Sequence, residues 1–276
     1  MRLLVYNIAY GTGCPDGLAD RIWAIHRYIR TPQSHLDRII EFIDGSSADI
    51  VALVEVDTGS FRTGYVNQAE KIASHLSKYH TCSVKYGMNS IGRMIPILQS
   101  QANAVLTRRK VPKRHFHFFP FGFKRLIIEL NIEGIRFFLV HLALQRAVRA
   151  KQLDFLSKLA EGDGPLIVTG DFNAFAGTKE LAKFQRKLGL ANPNTKGLCT
   201  YPSWEPENQL DMILCSKEIK IMNFEVPDVR FSDHLPVLLD FYVDTPVETT
   251  ASGTAMQKTL KLKRDALLGV QTVKRK

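Results

Sequence analysis

The sequence predicts an α/β fold in which mixed β-sheets are covered by helices. Two observations lead to this prediction. Apolar runs of strand length recur along the chain, and amphipathic segments with a helical period separate several of them in the first half. The middle and the end of the chain are richer in strand-like runs, which favours mixed sheets with helices packed against them.

Eight apolar runs bounded by turn-forming residues predict strands. In chain order they span residues 2–8, 49–55, 102–107, 126–131, 135–141, 166–170, 210–215 and 236–243. Four segments with apolar residues on one face predict amphipathic helices. These segments span residues 34–44, 67–78, 144–160 and 178–187.

Composition indicates one folded domain followed by a tail. The 276 residues are 45% hydrophobic and 23% charged, which excludes a disordered or fibrous chain. We expect one catalytic domain over residues 1–244, because no linker or repeat interrupts them. Residues 245–276 hold seven basic and two acidic residues, a net +5 of the formal +10. After a Thr/Ser/Ala/Gly stretch, this composition predicts a flexible basic C-terminal tail that could bind an anionic membrane surface.

The cysteines and the N-terminus bear on the cellular compartment. The four cysteines are scattered without a CxxC pair, so neither a zinc site nor a disulfide framework is predicted. The apolar N-terminal stretch is too short for a secretory signal, and no later run reaches the roughly 20 apolar residues of a membrane span. We therefore expect a reduced, cytoplasmic protein.

Polar residues of metal-binding or acid/base type stand at or beside the ends of six predicted strands. They are Asn7, Glu55, His141, Asp171 with Asn173, Asp211, and Asp233 with His234. Each alone has a structural explanation, such as a turn, a surface carboxylate or a buried histidine. Their recurrence at one kind of position favours a functional role, because rigid scaffolds place their chemistry at such strand ends.

The residue types suit phosphoester chemistry. Carboxylates and amides without cysteine are hard oxygen ligands, which fit Mg²⁺ or Mn²⁺ better than zinc. Two histidines add a donor to phosphoryl oxygens and a group that can move a proton. Uncatalysed phosphoester cleavage is very slow, so a metal, a positioned water and charge neutralisation are expected together. The residues alone therefore suggest a metal-dependent phosphoester hydrolase.

Seven motifs also occur in the order typical of a known superfamily. They are Asn7 after the first strand, DIVALVEVD around Glu55, NAVLTR at 103–108, FFLVHLAL at 137–144, GDFNA at 170–174, QLDMIL at 209–214 and SDHLPV at 232–237. With these motifs the chain resembles the endonuclease/exonuclease/phosphatase superfamily, including its deoxyribonuclease-like and sphingomyelinase-like members, over almost all of residues 1–243. The resemblance implies a four-layered α/β sandwich, in which two mixed β-sheets lie face to face between helices.

The resemblance implies a metal site and a water site. Glu55 would be the principal Mg²⁺ ligand, and Asn7 would assist it. Asp171 and Asn173 would orient the attacking water and hold the phosphate.

The same resemblance implies roles for the histidines and their partners. His234 would act as general base or acid, with Asp233 orienting the site or the metal. Asp211 would orient a catalytic histidine, and His141 would donate to the phosphoryl oxygens. Whether Asp171 or His234 takes the proton of the water is left open, because both need the same in-line water.

Two positions distinguish this chain from some members of the superfamily. Many members have an arginine before the Leu/Ile-Asp pair, where this chain has Gln209, so a supporting contact differs. His141 stands where members that act at abasic sites usually carry a tyrosine. The deoxyribonuclease, sphingomyelinase, inositol-phosphatase and deadenylase branches carry a histidine there, so the resemblance argues against an abasic-site enzyme.

Basic residues suggest where a substrate would bind. Arg146 and Arg149 lie three residues apart at the start of the helix after His141, so they share a face near the predicted phosphate site, although a solvated basic face explains them as well. Residues 108–125 interleave basic residues with five phenylalanines and two histidines. This segment could stack nucleic-acid bases, lie on a lipid interface, or supply core phenylalanines.

Three functions stay open at this stage. The first is a Mg²⁺-dependent phosphodiesterase that hydrolyses nucleic acid by in-line attack of an activated water, which the basic composition favours. The second is a phosphodiesterase or phosphatase acting on a phospholipid or other small phosphoester, which the aromatic segment and the basic tail favour. The third is a non-catalytic binding protein with this fold, which the presence of every motif residue disfavours. No stable partner chain is implied.

Overall fold

The computed structural model describes residues 1–14, 30–85 and 98–244. The predicted C-terminal tail therefore lies outside the described residues. Among the described residues, eleven strands and four α-helices occur. The strands are β1 (Arg2–Asn7), β2 (Ile50–Asp57), β3 (Tyr79–Val84), β4 (Gln101–Thr107), β5 (Arg114–Phe118), β6 (Leu126–Ile132), β7 (Ile135–His141), β8 (Leu166–Asp171), β9 (Asp211–Cys215), β10 (Ile219–Glu225) and β11 (Val237–Val243). The helices are α1 (Gln33–Gly45), α2 (Gln68–His75), α3 (Arg146–Leu159) and α4 (Ala182–Leu188).

The strands form two mixed sheets. The first has the order β10-β11-β1-β2-β4-β3 and the second the order β5-β6-β7-β8-β9. Only the pairs β1–β2 and β7–β8 run parallel among the described strands, and every other neighbouring pair is antiparallel. Each sheet therefore has one parallel pair, from which both strands end at the same edge.

Alternating side chains build the layers of the fold. Leu3 and Val5 of β1 point into a core that also contains residues of β6, β7 and β8, so this core lies between the two sheets. Leu4 and Tyr6, on the other face of β1, pack with residues of α1 and α2. A third cluster joins the second sheet to α3 and α4. The predicted four-layered sandwich, helices on sheet on sheet on helices, is confirmed.

The strands that the sequence did not predict all lie at sheet edges. They are β3 and β10, at the two edges of the first sheet, and β5, at one edge of the second. Exposed and partly exposed residues dominate all three, and β5 contains no fully buried residue. An edge strand needs no apolar face, so the apolar runs that predicted the central strands are missing here.

Each of the four predicted helices is present among the described residues, although the predicted ends are inexact. The segment predicted at 67–78 is helical only over Gln68–His75, where Asn67 caps the helix by accepting a hydrogen bond from the Glu70 N–H at 3.3 Å. The segment predicted at 178–187 begins as a short 3₁₀-helix, Thr178–Leu181, before α4. Among the described residues, no helix combines the length and the apolar composition needed to cross a membrane.

Candidate active site

Strand register brings five of the predicted site residues to one end of the sandwich. Asn7 pairs with Val54 at the end of the parallel strands β1 and β2, and Glu55 follows directly. In the second sheet, His141 and Asp171 pair at the end of the parallel strands β7 and β8, and Asp171 also pairs with Asp211 of β9. The two parallel pairs thus end on the same side, which places carboxylates, an amide and a histidine together between the sheets.

Asp171 is the centre of this arrangement and is fully buried. Its Oδ2 accepts a hydrogen bond from Asn7 Nδ2 at 3.2 Å and lies 3.2 Å from His141 Nε2. Its Oδ1 accepts from the Asn173 N–H at 2.9 Å. Burial opposes its charge, but the interaction with His141, including the contact to His141 Nε2, followed by the charges of His234 and Lys124, holds the pKa of Asp171 well below its usual range. One carboxylate therefore joins the two sheets.

The GDFN turn fixes the orientation of Asp171. Asn173 adopts a left-handed backbone conformation, with φ of 51°, and its Nδ2 donates to the Leu142 carbonyl at 2.9 Å. Gly170 precedes the carboxylate with φ of 129°, and a Cβ atom there would lie 1.9 Å from the carbonyl oxygen of Val140 on β7. Only glycine permits β7 and β8 to approach this closely, so Gly170 sets the spacing between His141 and Asp171.

A second carboxylate orients the second histidine. Asp211 Oδ2 lies 2.7 Å from His234 Nδ1 and also accepts a hydrogen bond from Thr200 Oγ1 at 2.8 Å. Burial alone would lower the pKa of His234, but the charge of Asp211, followed by Asp233 and Asp171, raises it to about 10. His234 is therefore an imidazolium at neutral pH, held by a buried carboxylate.

Glu55 stands at a strained position of the first sheet. Its φ is 59°, which is unusual for a residue with a long side chain, and the β2–β4 register shifts between Leu53 and Val56. Asn103 Oδ1 accepts the Glu55 N–H at 3.3 Å and supports this bulge. Strain that the surrounding structure maintains is often found at functional sites, because it aims a side chain. Here the bulge directs a carboxylate toward His141, whose Nδ1 lies 3.7 Å from Glu55 Oε1.

Two lysines that the sequence did not assign to the site surround His141. Lys85 Nζ is buried and lies 3.3 Å from His141 Nδ1, 3.6 Å from Glu55 Oε1 and 2.9 Å from the hydroxyl of Tyr10. Lys124 Nζ contacts His141 Nε2. No local motif marks Lys85, whereas Lys124 belongs to the basic and aromatic segment 108–125.

These lysines change the charges of the residues around them. Burial, together with Lys124 and Lys85, lowers the pKa of His141 to about 4, so this imidazole is neutral at pH 7. Burial opposes the charge of Glu55, but nearby positive charge, chiefly that of Lys85, lowers its pKa to about 2. The site therefore holds one neutral histidine, one charged histidine and the ionised carboxylates of Glu55 and Asp171, while burial raises the pKa of Asp211 and of Asp233.

Comparison with known proteins identifies the family of the chain. The family model described as "Endonuclease/Exonuclease/phosphatase family" matches residues 4–234. The chain belongs to this family. A search of curated protein sequences gave no match.

Solved structures of family members share the fold at low sequence identity. An endonuclease/exonuclease/phosphatase from Beutenbergia cavernae is 18% identical, with a TM-score of 0.63 over 88% of this chain and 71% of that one. The catalytic domain of human nocturnin with a bound sulfate anion is 20% identical, with a TM-score of 0.61 over 88% and 93%. A mannosyl-6-phosphatase from Bacteroides thetaiotaomicron is 16% identical, with a TM-score of 0.61 over 88% and 99%. At these identities, the likeness establishes the fold alone.

The donor set fits a hard divalent cation, as is general in this family. Carboxylate oxygens of Asp171 and Asp211 lie within 4.8 Å of each other, and Asp211 Oδ1 is a buried oxygen without a hydrogen-bond partner. Glu55, which the sequence predicts as the main ligand together with Asn7, lies at the same end of the sandwich but outside that group. Carboxylate and amide oxygens are the ligands that such cations prefer. The residues present therefore fit a metal ion, and the sequence-predicted ligands stay a prediction.

The two predicted substrate arginines have different surroundings. Arg149 is buried, and its Nη2 bonds both carboxylate oxygens of Glu180 at 2.9 Å. Its Nη1 donates to the carbonyls of Ala143 and Leu144, each at 2.8 Å. These contacts hold the loop that follows His141, and the predicted substrate contact of Arg149 stays a prediction. Arg146 is largely exposed, 3.9 Å from the Glu180 carboxylate, and its predicted substrate contact stays a prediction.

Proposed function

We propose that this protein is a Mg²⁺-dependent phosphodiesterase that hydrolyses nucleic acid by in-line attack of water. One observation carries the proposal: Asp171 contacts both Asn7 and His141, and the hydrogen-bonded Asp211–His234 pair lies beside it. A phosphoryl group placed there would meet a positioned carboxylate, two imidazoles and the ammonium groups of Lys85 and Lys124. These groups match the negative charge that develops on a phosphoester during hydrolysis.

Each candidate site residue has a distinct role in this proposal. Glu55 and Asn7 would hold the metal ion, either Mg²⁺ or Mn²⁺. When bound, this ion would neutralise part of the phosphate charge. Neutral His141 donates one hydrogen bond to a phosphoryl oxygen. Lys124 and Lys85 add positive charge at the same place.

The charge of His234 favours Asp171 over His234 as the base. Because His234 is protonated at neutral pH, it cannot accept the proton of the attacking water. It instead stabilises the phosphoryl oxygens or protonates the leaving oxygen. Asp171, which is ionised, is then the group that takes the proton of the water, and Asn173 helps to orient that water. Asp211 keeps His234 charged and correctly turned, and Asp233 adds to the negative charge beside it.

The charge of the chain favours nucleic acid as the substrate, and the relatives support a site for a phosphate group. The formal net charge of +10 favours polyanions. The nocturnin structure contains a bound sulfate, which has the shape and charge character of a phosphate group. The name of the mannosyl-6-phosphatase describes a phosphate ester as the group on which that protein acts. Both relatives support an oxyanion site, and the diester preference is our proposal.

One observation favours a second candidate, a phosphodiesterase or phosphatase for phospholipids. Phe116 and Phe118 on the edge strand β5, and Phe123 after it, are exposed beside the basic residues Arg114 and Lys124. Aromatic side chains flanked by cations suit a lipid interface with anionic headgroups. This candidate uses the same catalytic residues and differs only in the surface that approaches the substrate.

The test is cleavage of single-stranded DNA, supercoiled DNA and RNA by the full chain in Mg²⁺. We expect cleavage that EDTA abolishes and that His234→Ala reduces by at least 100-fold, an effect on the order of that of removing one group from a positioned catalytic set. Tyr242→Ala, at an exposed position away from the site, is the control. Cleavage that survives both EDTA and His234→Ala would contradict the proposal. Cleavage of phospholipid headgroups but not of any nucleic acid would support the second candidate.

A further inference from the structure

Three aromatic side chains lie in a row beside the charged histidine. The ring of Tyr201 is 4.8 Å from that of His234, centroid to centroid. Phe175 meets Tyr201 edge to face at 5.7 Å with an interplanar angle of 87°, and Trp204 lies 6.5 Å from Tyr201. We call Phe175, Tyr201 and Trp204 the aromatic cluster. Tyr201 is the ring that contacts His234, and Phe175 and Trp204 each contact Tyr201.

The backbone holds the aromatic cluster against the site. Phe175 is two residues beyond Asn173, and its N–H donates to the Asn173 carbonyl at 2.9 Å. Tyr201 belongs to a loop closed by its own hydrogen bonds with Asn208, at 2.8 and 3.0 Å. The Ser203 N–H donates to the carbonyl of Asp233 at 2.8 Å, which ties this loop to the segment that carries His234. The rings are therefore placed by the same turns that place the catalytic side chains.

Folding does not explain why the aromatic cluster is exposed. Phe175 is 44% exposed, and Tyr201 and Trp204 are partly exposed, although each ring would gain free energy from burial. Exposed apolar surface next to a polar catalytic site often marks a binding surface. The adjacent Glu205 and Glu207 are exposed and acidic, so this surface would repel an anionic membrane. A neutral, planar group fits the local chemistry better than a lipid headgroup.

We propose that the aromatic cluster binds a nucleobase of the substrate by stacking, with Phe175 as its main contact. The proposal rests on the proposed function, because it places the phosphate attached to that nucleoside at Asp171 and His234. Stacking on aromatic side chains is tolerant of sequence, since every base has a π-face. The cluster thus makes the enzyme prefer nucleotide esters to esters that lack a base.

Two chromogenic diesters isolate the contribution of the base. Thymidine 5′-(4-nitrophenyl) phosphate and methyl 4-nitrophenyl phosphate share the same leaving group, and only the first carries a nucleoside. In both, water attacks phosphorus, the bond from phosphorus to the aryl oxygen breaks, and 4-nitrophenolate departs with the electron pair while the proton of the water passes to Asp171. The ratio of the two kcat/KM values therefore reports recognition of the nucleoside.

We expect Phe175→Ala to lower this ratio about 5- to 140-fold, because stacking of one base is worth about 1–3 kcal/mol and each 1.4 kcal/mol is tenfold. Most of the change should lie in KM. Phe175→Trp, which keeps a stacking face, should restore the ratio. Tyr242→Ala is the matched control, because this ring is also exposed, at 49%. Strand β11 runs antiparallel to β1, and Tyr242 lies beyond the residue that pairs with Arg2, at the end of β1 opposite to Asn7.

Binding without turnover provides the second measurement. Adenosine 5′-monophosphate and ribose 5-phosphate share a phosphate and a sugar, and only the first carries a base. By isothermal titration calorimetry, the wild-type protein should bind the nucleotide more tightly, and Phe175→Ala should remove that difference.

Each outcome decides between the proposals. A kcat/KM ratio unchanged by Phe175→Ala, while both diesters are hydrolysed, overturns the stacking proposal and leaves the proposed function standing. If neither diester is hydrolysed, the proposed function fails and the calorimetric difference alone decides the stacking proposal. Loss of binding to phosphatidylserine vesicles in Phe175→Ala with an unchanged ratio would assign the aromatic cluster to a lipid surface, which also overturns it.

Discussion

Replacing Gly170 with alanine tests how the spacing of β7 and β8 creates the site. The new Cβ would lie 1.9 Å from the Val140 carbonyl oxygen and 3.0 Å from its carbon, both of them backbone atoms that no side-chain rotation can move away. The positive φ of 129° adds strain for a residue with a Cβ atom, about 1–2 kcal/mol. Forcing an extra methyl group into a packed interior costs a further ~1–3 kcal/mol.

We therefore expect Gly170→Ala to lower the free energy of unfolding by about 2–5 kcal/mol. For a domain of this size this corresponds to a fall in Tm of about 4–20 °C. Because the relief of the clash must separate β7 from β8, the contact between His141 and Asp171 should lengthen and phosphodiester hydrolysis should fall as well.

Thermal unfolding followed by circular dichroism measures the first effect, and hydrolysis of a chromogenic diester well below the Tm measures the second. Gly164→Ala is the matched control, because Gly164 also has a positive φ, 94°, but no atom lies within 4 Å of its added Cβ. It should lose only the strain contribution of about 1–2 kcal/mol. The reasoning is refuted if the two variants have the same stability, or if Gly170→Ala hydrolyses the diester as fast as wild type.

Three further changes follow from charged pairs. Arg62→Met leaves the buried carboxylate of Asp57 without its 2.6 Å ion pair, so unfolding should become easier by about 3–5 kcal/mol; a loss below ~1 kcal/mol in a urea titration would contradict this. Lys85→Met removes a buried cation 3.6 Å from Glu55, so Mn²⁺ should bind roughly 10- to 100-fold more tightly by calorimetry, and unchanged or weaker binding would count against the charge arrangement. A hydrogen bond with Arg2 lowers the pKa of Asp240 in the folded protein. This carboxylate therefore stabilises the fold at pH values above its unfolded pKa of about 3.9. The stabilisation is lost as the pH falls through the lower pKa of the folded state. The stability gap between wild type and Asp240→Asn should therefore close on acidification from pH 7 to below pH 4, and a gap that widens would reverse the sign of the argument.

The central strands could be predicted because both of their faces are buried. Leu3 to Tyr6 of β1 and Leu166 to Val168 of β8 are apolar without interruption, which is what a strand between two packed layers requires. The strands β3, β5 and β10 have no such pattern, since one side of each edge strand faces solvent. Each of them pairs with the next strand along the chain, so its formation depends on that partner and not on an apolar pattern of its own.

The candidate site could be predicted where a residue of metal-binding or acid/base type stands at the end of a strand. Asn7, His141 and Asp171 stand at such ends, and strand register brings them together in the structure. Lys85 follows an edge strand that was not predicted, so its burial beside Glu55 could not be inferred. The ion pair of Arg149 could not be inferred either. Its partner, Glu180, lies 31 residues away, and the packing of α3 beside the 3₁₀-helix Thr178–Leu181 brings the two together.

The most direct test of the central claim is the hydrolysis of bis(4-nitrophenyl) phosphate by wild type and by Asp171→Asn, each with Mg²⁺, with Mn²⁺ and with EDTA. Asparagine keeps the shape of the side chain but can neither accept the proton of the water nor carry the charge, and circular dichroism would establish that the variant is folded. We predict metal-dependent release of 4-nitrophenolate by wild type and a loss of at least about 100-fold in the variant. Equal turnover by the two folded proteins, or turnover that is indifferent to EDTA, would contradict the claim that Asp171 is the centre of a metal-dependent phosphoesterase site.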